Sequence, residues 1–391
     1  MKITLFSNFI NHHQVPLCCA LCNYPGVDFT FVQTERIAEE RLKMGYPDLS
    51  KAYPFVLCTY DSKEAERKAE NLAAESDVMI IGAAPKKYAS IRLKKNKLMF
   101  RYSERLYKTG MWRAFLPKER LAMFVNHTFY RNRPVYMLCA SAYTALDYGI
   151  HGAYFGKTFK WGYFPETKYY DLDDLMSQKQ STKDGCVSIL WAGRLIDWKH
   201  PETAVNLADA LRRKGYTFKL SIIGNGSLED ELKATILEKH LSDHVEMLGA
   251  MPPEKVREHM EKADIFLFTS GFGEGWGAVL NESMNSGCAV VASHAIGAVP
   301  FLLKNGENGL IFRNGAQVHL EEQVEMLLNH PEYRKKLGEN AYHTIASLWN
   351  ADVAAQRLIN LSEHLLRGEK QNSLYESGPC SRAEKIINDW L

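Results

Sequence analysis

At 391 residues the chain is too long for one compact core and suits two domains of ordinary size. Apolar residues make up 46% and charged residues 24%, which argues for a globular protein and against a disordered or fibrous one. A net charge of only +2 excludes wholesale nucleic-acid binding.

The first half alternates apolar runs of strand length with polar or helical stretches. Strands are expected at "KITLFS" (2–7), "DFTFVQ" (28–33), "FVLCTY" (55–60), "DVMIIG" (77–82), "KLMFRYS" (97–103) and "VYMLCAS" (135–141). "KEAERKAENLAAE" (63–75) has helical periodicity. No leader precedes "MKITLFSNFI", and no apolar run nears the ~20 residues that span a bilayer, so a cytoplasmic location is expected. Most of the eight cysteines lie in apolar runs, which fits a reducing compartment. Cys19-x-x-Cys22 lacks a second pair at zinc spacing, so no metal site is expected there. After the first strand, "FSNFINHHQVPLC" places Asn11, His12 and His13 in an apolar neighbourhood, where they either meet a ligand or cap a helix in water.

Residues 86–120 carry twelve Lys or Arg against two Glu, with Met111, Trp112 and Phe115 interleaved. That mixture suits a solvated face or contact with an anionic membrane surface, and no nucleic-acid module accompanies it. "FPETKYYDLDDLMSQKQSTKDG" (164–185) is polar and acidic and reads as the linker. It separates a first domain at 1–165 from a second at 183–370.

The second half is the clearer one. "CVSILWAG" (186–193), "FKLSIIG" (218–224), "HVEMLG" (244–249), "DIFLFTS" (264–270), "CAVVAS" (288–293) and "NGLIF" (308–312) alternate with amphipathic helices such as "PETAVNLADALRRKG" (201–215). Continuous apolar strands with intervening helices imply a parallel sheet covered on both faces. Both halves are therefore expected to be α/β, Rossmann-like and doubly wound, facing a central cleft at the carboxyl ends of their strands, where ligands of open sheets bind. After Pro331 the chain reads as mostly helical to about Arg367, and residues 378–391, ending "AEKIINDWL", as a short amphipathic helix.

Three loops at that edge of the second half carry chemistry. "GFGEGWGAVLNESMNSG" (271–287) holds two carboxylates, Glu274 and Glu282, around Gly273, Gly275, Trp276 and Gly277. A helix starting near Gly277 would aim free N–H groups at an anion, and Glu282 would fall in its second turn. A carboxylate accepts hydrogen bonds from two vicinal hydroxyls. "WAGRLIDWKHPE" (191–202) offers Gly193, with Arg194 and Lys199 as cations fit for a diphosphate. "IIGNGSLEDEL" (222–232) brings Asn225 between two glycines, but Glu229 stands where a dinucleotide fingerprint needs its third glycine.

"GRLIDWKHPETAV", "IIGNGSLEDEL", "LGAMPPEKV", "EGWGAVLNESMNSGCAVVAS" and "NGENGLIF", in this order, resemble the retaining GT-B glycosyltransferases of family 4, whose E-x7-E motif matches Glu274 and Glu282. The resemblance covers residues 186–330 and the first half in outline. It implies a GT-B fold and transfer of a sugar from a UDP- or GDP-sugar to a saccharide or lipid-linked acceptor, with retained configuration, in cell-surface polysaccharide synthesis. Carried over by position, Arg194 and Lys199 hold the donor diphosphate, Glu274 the transferred sugar with the 275–277 amides beside it, and Glu282 the ribose. Residues around Ala250 and Met251 flank the base. No metal or cofactor is implied, since cations and amides neutralise the phosphates. The terminal helix is implied to pack back on the first domain. Where such enzymes commonly place a histidine after a first-domain strand, this chain has Ser103 and Glu104, the latter either an acceptor base or an ion partner of Arg101 or Arg105. The rival readings are an epimerase acting on sugar nucleotides and a nucleotide-dependent oxidoreductase.

Overall fold

The computed structural model describes residues 1–39, 47–179, 185–369 and 374–391. They form two compact units. Unit 1 comprises Met1–Glu166 with Asn350–Asn388, and unit 2 comprises Thr167–Trp349 with Asp389–Leu391.

Unit 1 is built on β1 (Lys2–Ser7), β2 (Asp28–Gln33), β3 (Val56–Cys58), β4 (Val78–Ile81), β5 (Met99–Ser103), β6 (Val135–Cys139) and β7 (Thr158–Lys160). They pair in parallel in the order β3-β2-β1-β4-β5-β6-β7. β4 and β6 are buried along their whole length, as their unbroken apolar runs require of strands covered on both faces. β7 was not expected: "TFK" is too short to show a period, and only its pairing with Met137–Cys139 makes it a strand.

Residues 378–391 depart from expectation. They form turns and extended chain in place of a helix. Arg382 bridges Phe159 antiparallel, Lys160 donates its N–H to Ser381 O (2.7 Å), and Ala383 donates to Thr158 O (3.1 Å). The outer edge of β7 holds unpaired backbone groups, and satisfying them outweighs a weak helical periodicity. Of the expected apolar face only Ala383 is buried, while Ile387 is 59% exposed. The segment does return to unit 1 as far as Asn388, but its last three residues join unit 2.

Unit 2 holds β8 (Val187–Ala192), β9 (Phe218–Ile223), β10 (Val245–Gly249), β11 (Ile265–Phe268), β12 (Ala289–Ser293) and β13 (Leu310–Phe312), parallel in the order β10-β9-β8-β11-β12-β13. All six expected strands of this half are present. The helix Pro201–Arg213 starts on proline and buries Ala204, Val205, Leu207, Ala208 and Leu211 against the sheet, in a core that includes Ile189, Leu220 and Val291.

Two boundaries shift. The stretch read as a linker supplies the helix Leu172–Lys179, which buries Leu175 and Met176 within unit 2. Lys179 is buried beside it, its ammonium held by Met260 O (2.9 Å) and Ala263 O (2.6 Å). Residues 180–184, near the C-terminal end of the expected linker, lie outside the described residues. The helix Ala351–Leu366, expected in the second domain, belongs to unit 1, where it packs on the helix Val15–Cys22. Among the described residues no helix is long and apolar enough to cross a membrane.

Candidate functional site

The strand order of unit 2 reverses between β8 and β11, so the loops after these two strands leave the sheet side by side. The β8 loop carries Gly193, Arg194, Trp198 and Lys199, and the β11 loop carries Ser270, Gly273 and Glu274. Lys199 and Glu274 form an ion pair with side chains only 13% and 10% exposed. Ser270 Oγ donates to the same carboxylate oxygen (3.0 Å). Thr269 Oγ1 ties the two loops together by donating to Lys199 O (2.8 Å) and His200 O (2.9 Å). Trp198 lies beneath both cations, with Lys199 Nζ 4.7 Å and the Arg194 guanidinium 5.6 Å from its ring centroid.

Backbone geometry fixes this loop pair. Gly277 has φ +91, and a Cβ there would press into the Phe268 ring and Glu274 Cγ, so no side chain fits without moving the carboxylate. Gly224, after β9, has φ +141, and a Cβ on it would overlap Gly193 O. Asn225 is exposed on that turn and accepts from Leu195 N (2.8 Å) through its carbonyl. Met251, after β10, is half-buried.

The helix that follows Glu274 begins at Val279, two residues later than expected, and Glu282 therefore sits in its first turn. Among the described residues the N–H groups of Gly275 and Gly277 find no acceptor. The Trp276 side chain is fully buried, donates Nε1–H to Asn281 Oδ1 (2.9 Å) and packs on Phe301 and Trp349, which leaves its backbone to the role expected of the 275–277 amides. Only its backbone belongs to the loop. Burial pushes the Glu282 carboxyl up to about 7, with Arg257 pulling the other way.

In unit 1, the loops after β1, β4 and β5 surround a cavity of 880 Å³. Asn11, His12, His13, Ser103 and Glu104 all line it, so five candidates scattered along the sequence share one wall. His13 is held neutral, near a pKa of about 3, by burial and then by His12, and its Nδ1 is buried without a partner. Glu104 pairs with neither Arg101 nor Arg105. It accepts from Lys108 Nζ (2.5 Å) and Tyr163 OH (2.6 Å), while Arg105 faces the buried Asp147 (3.8 Å). Ser103 Oγ receives Tyr148 OH (3.1 Å) and donates to Glu104 O (2.7 Å). Lys86, Arg101 and His127 also line the cavity and were not singled out. Lys86 and Arg101 read as members of a basic stretch until the fold put them at one opening. Ser270 likewise carried no signal of its own.

Residues 173–344 match the family model described as "Glycosyl transferases group 1". The chain is 34% identical over 132 residues to the amylovoran biosynthesis glycosyltransferase AmsK of Erwinia amylovora, covering 32% of each. It is 30% identical over 154 residues to a Campylobacter jejuni alpha-1,4-N-acetyl-D-galactosaminyltransferase named for an undecaprenol-diphosphate-linked acceptor, covering 39% of this chain and 42% of that one. The matches thus span less than half the length of these curated relatives. The solved structure of HepE from Anabaena in complex with UDP superposes over 93% of this chain and 100% of its own, with a TM-score of 0.69 at 16% identity. At that identity the likeness is one of fold, and the fold is GT-B.

Proposed function

On the premise that residues 173–344 form a group 1 glycosyl transferase domain, we propose that the protein moves a sugar from a nucleotide-sugar donor to a saccharide or lipid-linked saccharide acceptor in polysaccharide synthesis. The observation that carries this reading is the buried Lys199–Glu274 pair, with Arg194 beside it, where the strand order of unit 2 reverses. In the proposed donor complex Arg194 and Lys199 take the diphosphate, Glu274 the sugar hydroxyls and Glu282 the ribose. Gly273, Gly275 and Gly277 keep the loop open to the sugar, and Gly193, Asn225 and Met251 border the nucleotide. Cleavage of the anomeric C–O bond places negative charge on the leaving diphosphate oxygen and positive charge on the sugar. Fixed cations at the first and a carboxylate at the second stabilise that separation, so the proposed chemistry needs no metal. The acceptor oxygen then bonds to the anomeric carbon from the face the diphosphate leaves, its hydroxyl proton passing to the departing diphosphate oxygen, and configuration is retained. The relatives named for lipid-diphosphate or polysaccharide products support the acceptor class, and the HepE–UDP complex supports a uridine donor.

The test is product analysis by mass spectrometry after offering UDP- and GDP-sugars with and without a lipid-linked acceptor. Acceptor-dependent release of nucleoside diphosphate together with a glycosylated acceptor is expected. Isomerised donor without transfer would identify an epimerase and overturn the reading.

We also place an anionic membrane surface on unit 1. The short turn Met111–Phe115 and the helix Pro117–Asn126 expose Trp112 (63%), Phe115 (69%), Leu121 (65%) and Phe124 (53%) among Lys108, Arg113, Lys118 and Arg120. Apolar side chains inserted beneath the headgroups with cations at their level are what an interfacial segment requires. Co-sedimentation with vesicles containing phosphatidylglycerol is expected to fall at least tenfold in a Trp112→Ser, Phe115→Ser variant. Unchanged binding would remove the membrane assignment.

A further inference from the structure

We propose that the acceptor carries a phosphate group, and that Lys86 and Arg101 hold it in the cavity of unit 1. The inference rests on the transferase reading and specifies its acceptor. Among the described residues Glu104 is the one carboxylate that lines the cavity, and Lys108 and Tyr163 already occupy it. Lys86 and Arg101, on two different elements, have no carboxylate partner among the described residues. Arg101, in the middle of β5, spends one N–H on Asn126 O (3.0 Å), while its Nε is buried without an acceptor. A half-buried guanidinium with an unsatisfied donor is costly unless a ligand completes it. Lys86 opens the helix Lys86–Lys95, whose start has no side-chain cap. That helix start adds its own partial positive charge at the same opening. Lys86, Arg101 and His127 all line this one cavity, where burial and then the positive charges of Arg101 and Lys86 keep the His127 imidazole neutral, near a pKa of about 3. Two cations on separate elements, together with a helix start, suit a phosphate, whose several oxygens can accept from all of them.

Titration calorimetry on the full chain tests this, with nucleoside diphosphate present in excess so that the cations of unit 2 are occupied. Glycerol phosphate serves as the soluble probe and vesicles of phosphatidic acid as the lipid one. Saturable binding of at least one probe is expected. Arg101→Gln should weaken it tenfold or more and Lys86→Gln roughly three- to tenfold, with nucleoside diphosphate affinity unchanged. Lys86 is exposed at a helix start, so its variant reads the site even where Arg101→Gln perturbs folding. Stronger binding of the lipid probe assigns a lipid phosphate, and equal binding assigns a phosphate read without its tail. No saturable binding by the parent, or affinities that neither substitution changes, would overturn the proposal. Phosphate binding without any glycosyl transfer would count against the transferase reading and leave the site standing.

Discussion

Replacing Lys199 by alanine is expected to cost about 3–5 kcal/mol of folding stability, because it strands the Glu274 carboxylate in a site where both partners are about nine-tenths buried. Ser270 remains on that carboxylate but brings no charge. For a unit of this size the loss corresponds to a fall in Tm of roughly 6–20 °C. A Lys199→Ala, Glu274→Ala double variant should recover most of it, since the unpaired charge leaves as well. Arg194→Ala provides the contrast. Arg194 is exposed and has no carboxylate partner among the described residues, so its loss should leave Tm unchanged while weakening nucleoside diphosphate by about 1.5–3 kcal/mol. Thermal unfolding and calorimetry on the three variants check this. A Tm for Lys199→Ala equal to that of the parent would mean the pair is not the anchor of the loop.

The second large effect separates the two glutamates. Glu274→Gln should slow transfer by roughly 10- to 100-fold or more yet leave nucleoside diphosphate affinity nearly unchanged, as expected for a contact made to the sugar and strengthened in the transition state. Glu282→Gln should weaken nucleotide and nucleotide-sugar alike. It should also respond to pH. Burial holds the Glu282 proton up to about 7, whereas an exposed glutamate releases it near 4.5. Between those values the folded chain binds more protons than the unfolded one, so this group makes stability fall as pH rises through that window. Glu282→Gln should therefore melt above the parent at pH 8 and level with it at pH 4. The affinity gap between parent and variant should widen from pH 6 to pH 8, as the carboxylate that accepts both ribose hydroxyls becomes populated. Reversed roles in calorimetry would exchange the two assignments.

Much of this was legible in the sequence because the strands are buried on both faces. "VMII" and "VYMLC" admit few other readings, and the loops that follow such strands must stand at the carboxyl edge of the sheet. That logic reached Arg194, Lys199, Glu274, His13 and Glu104. It could not reach pairing. Lys199 and Glu274 carry charge in the sequence, but their mutual burial depends on β8 and β11 being neighbours. The inward turn of the Trp276 side chain onto Phe301 and Trp349 was likewise hidden, since those partners lie 25 and 73 residues further along the chain. Residues 378–391 misled because helical spacing is a local signal, and the edge of β7 that captures them lies far away in sequence. The same distance hid the attachment of the helix Ala351–Leu366 to unit 1.

That attachment sets an order on biosynthesis. Unit 2 is contiguous from Thr167 to Trp349 apart from three terminal residues, whereas unit 1 needs Asn350–Asn388 as well as everything before Thr167. On the ribosome, unit 2 can close as soon as Trp349 has emerged. Unit 1 is made first but finished last, and until then the helix Val15–Cys22 lacks the partner that covers it, and β7 its edge. A nascent chain waits with that apolar surface open, a natural place for a holdase to act. The same order bears on engineered chimeras: an exchange spliced only near residue 166 leaves a foreign helix to complete the recipient's unit 1. Hybrids that also move residues 350–388 with the N-terminal segment should fold where single-junction hybrids aggregate.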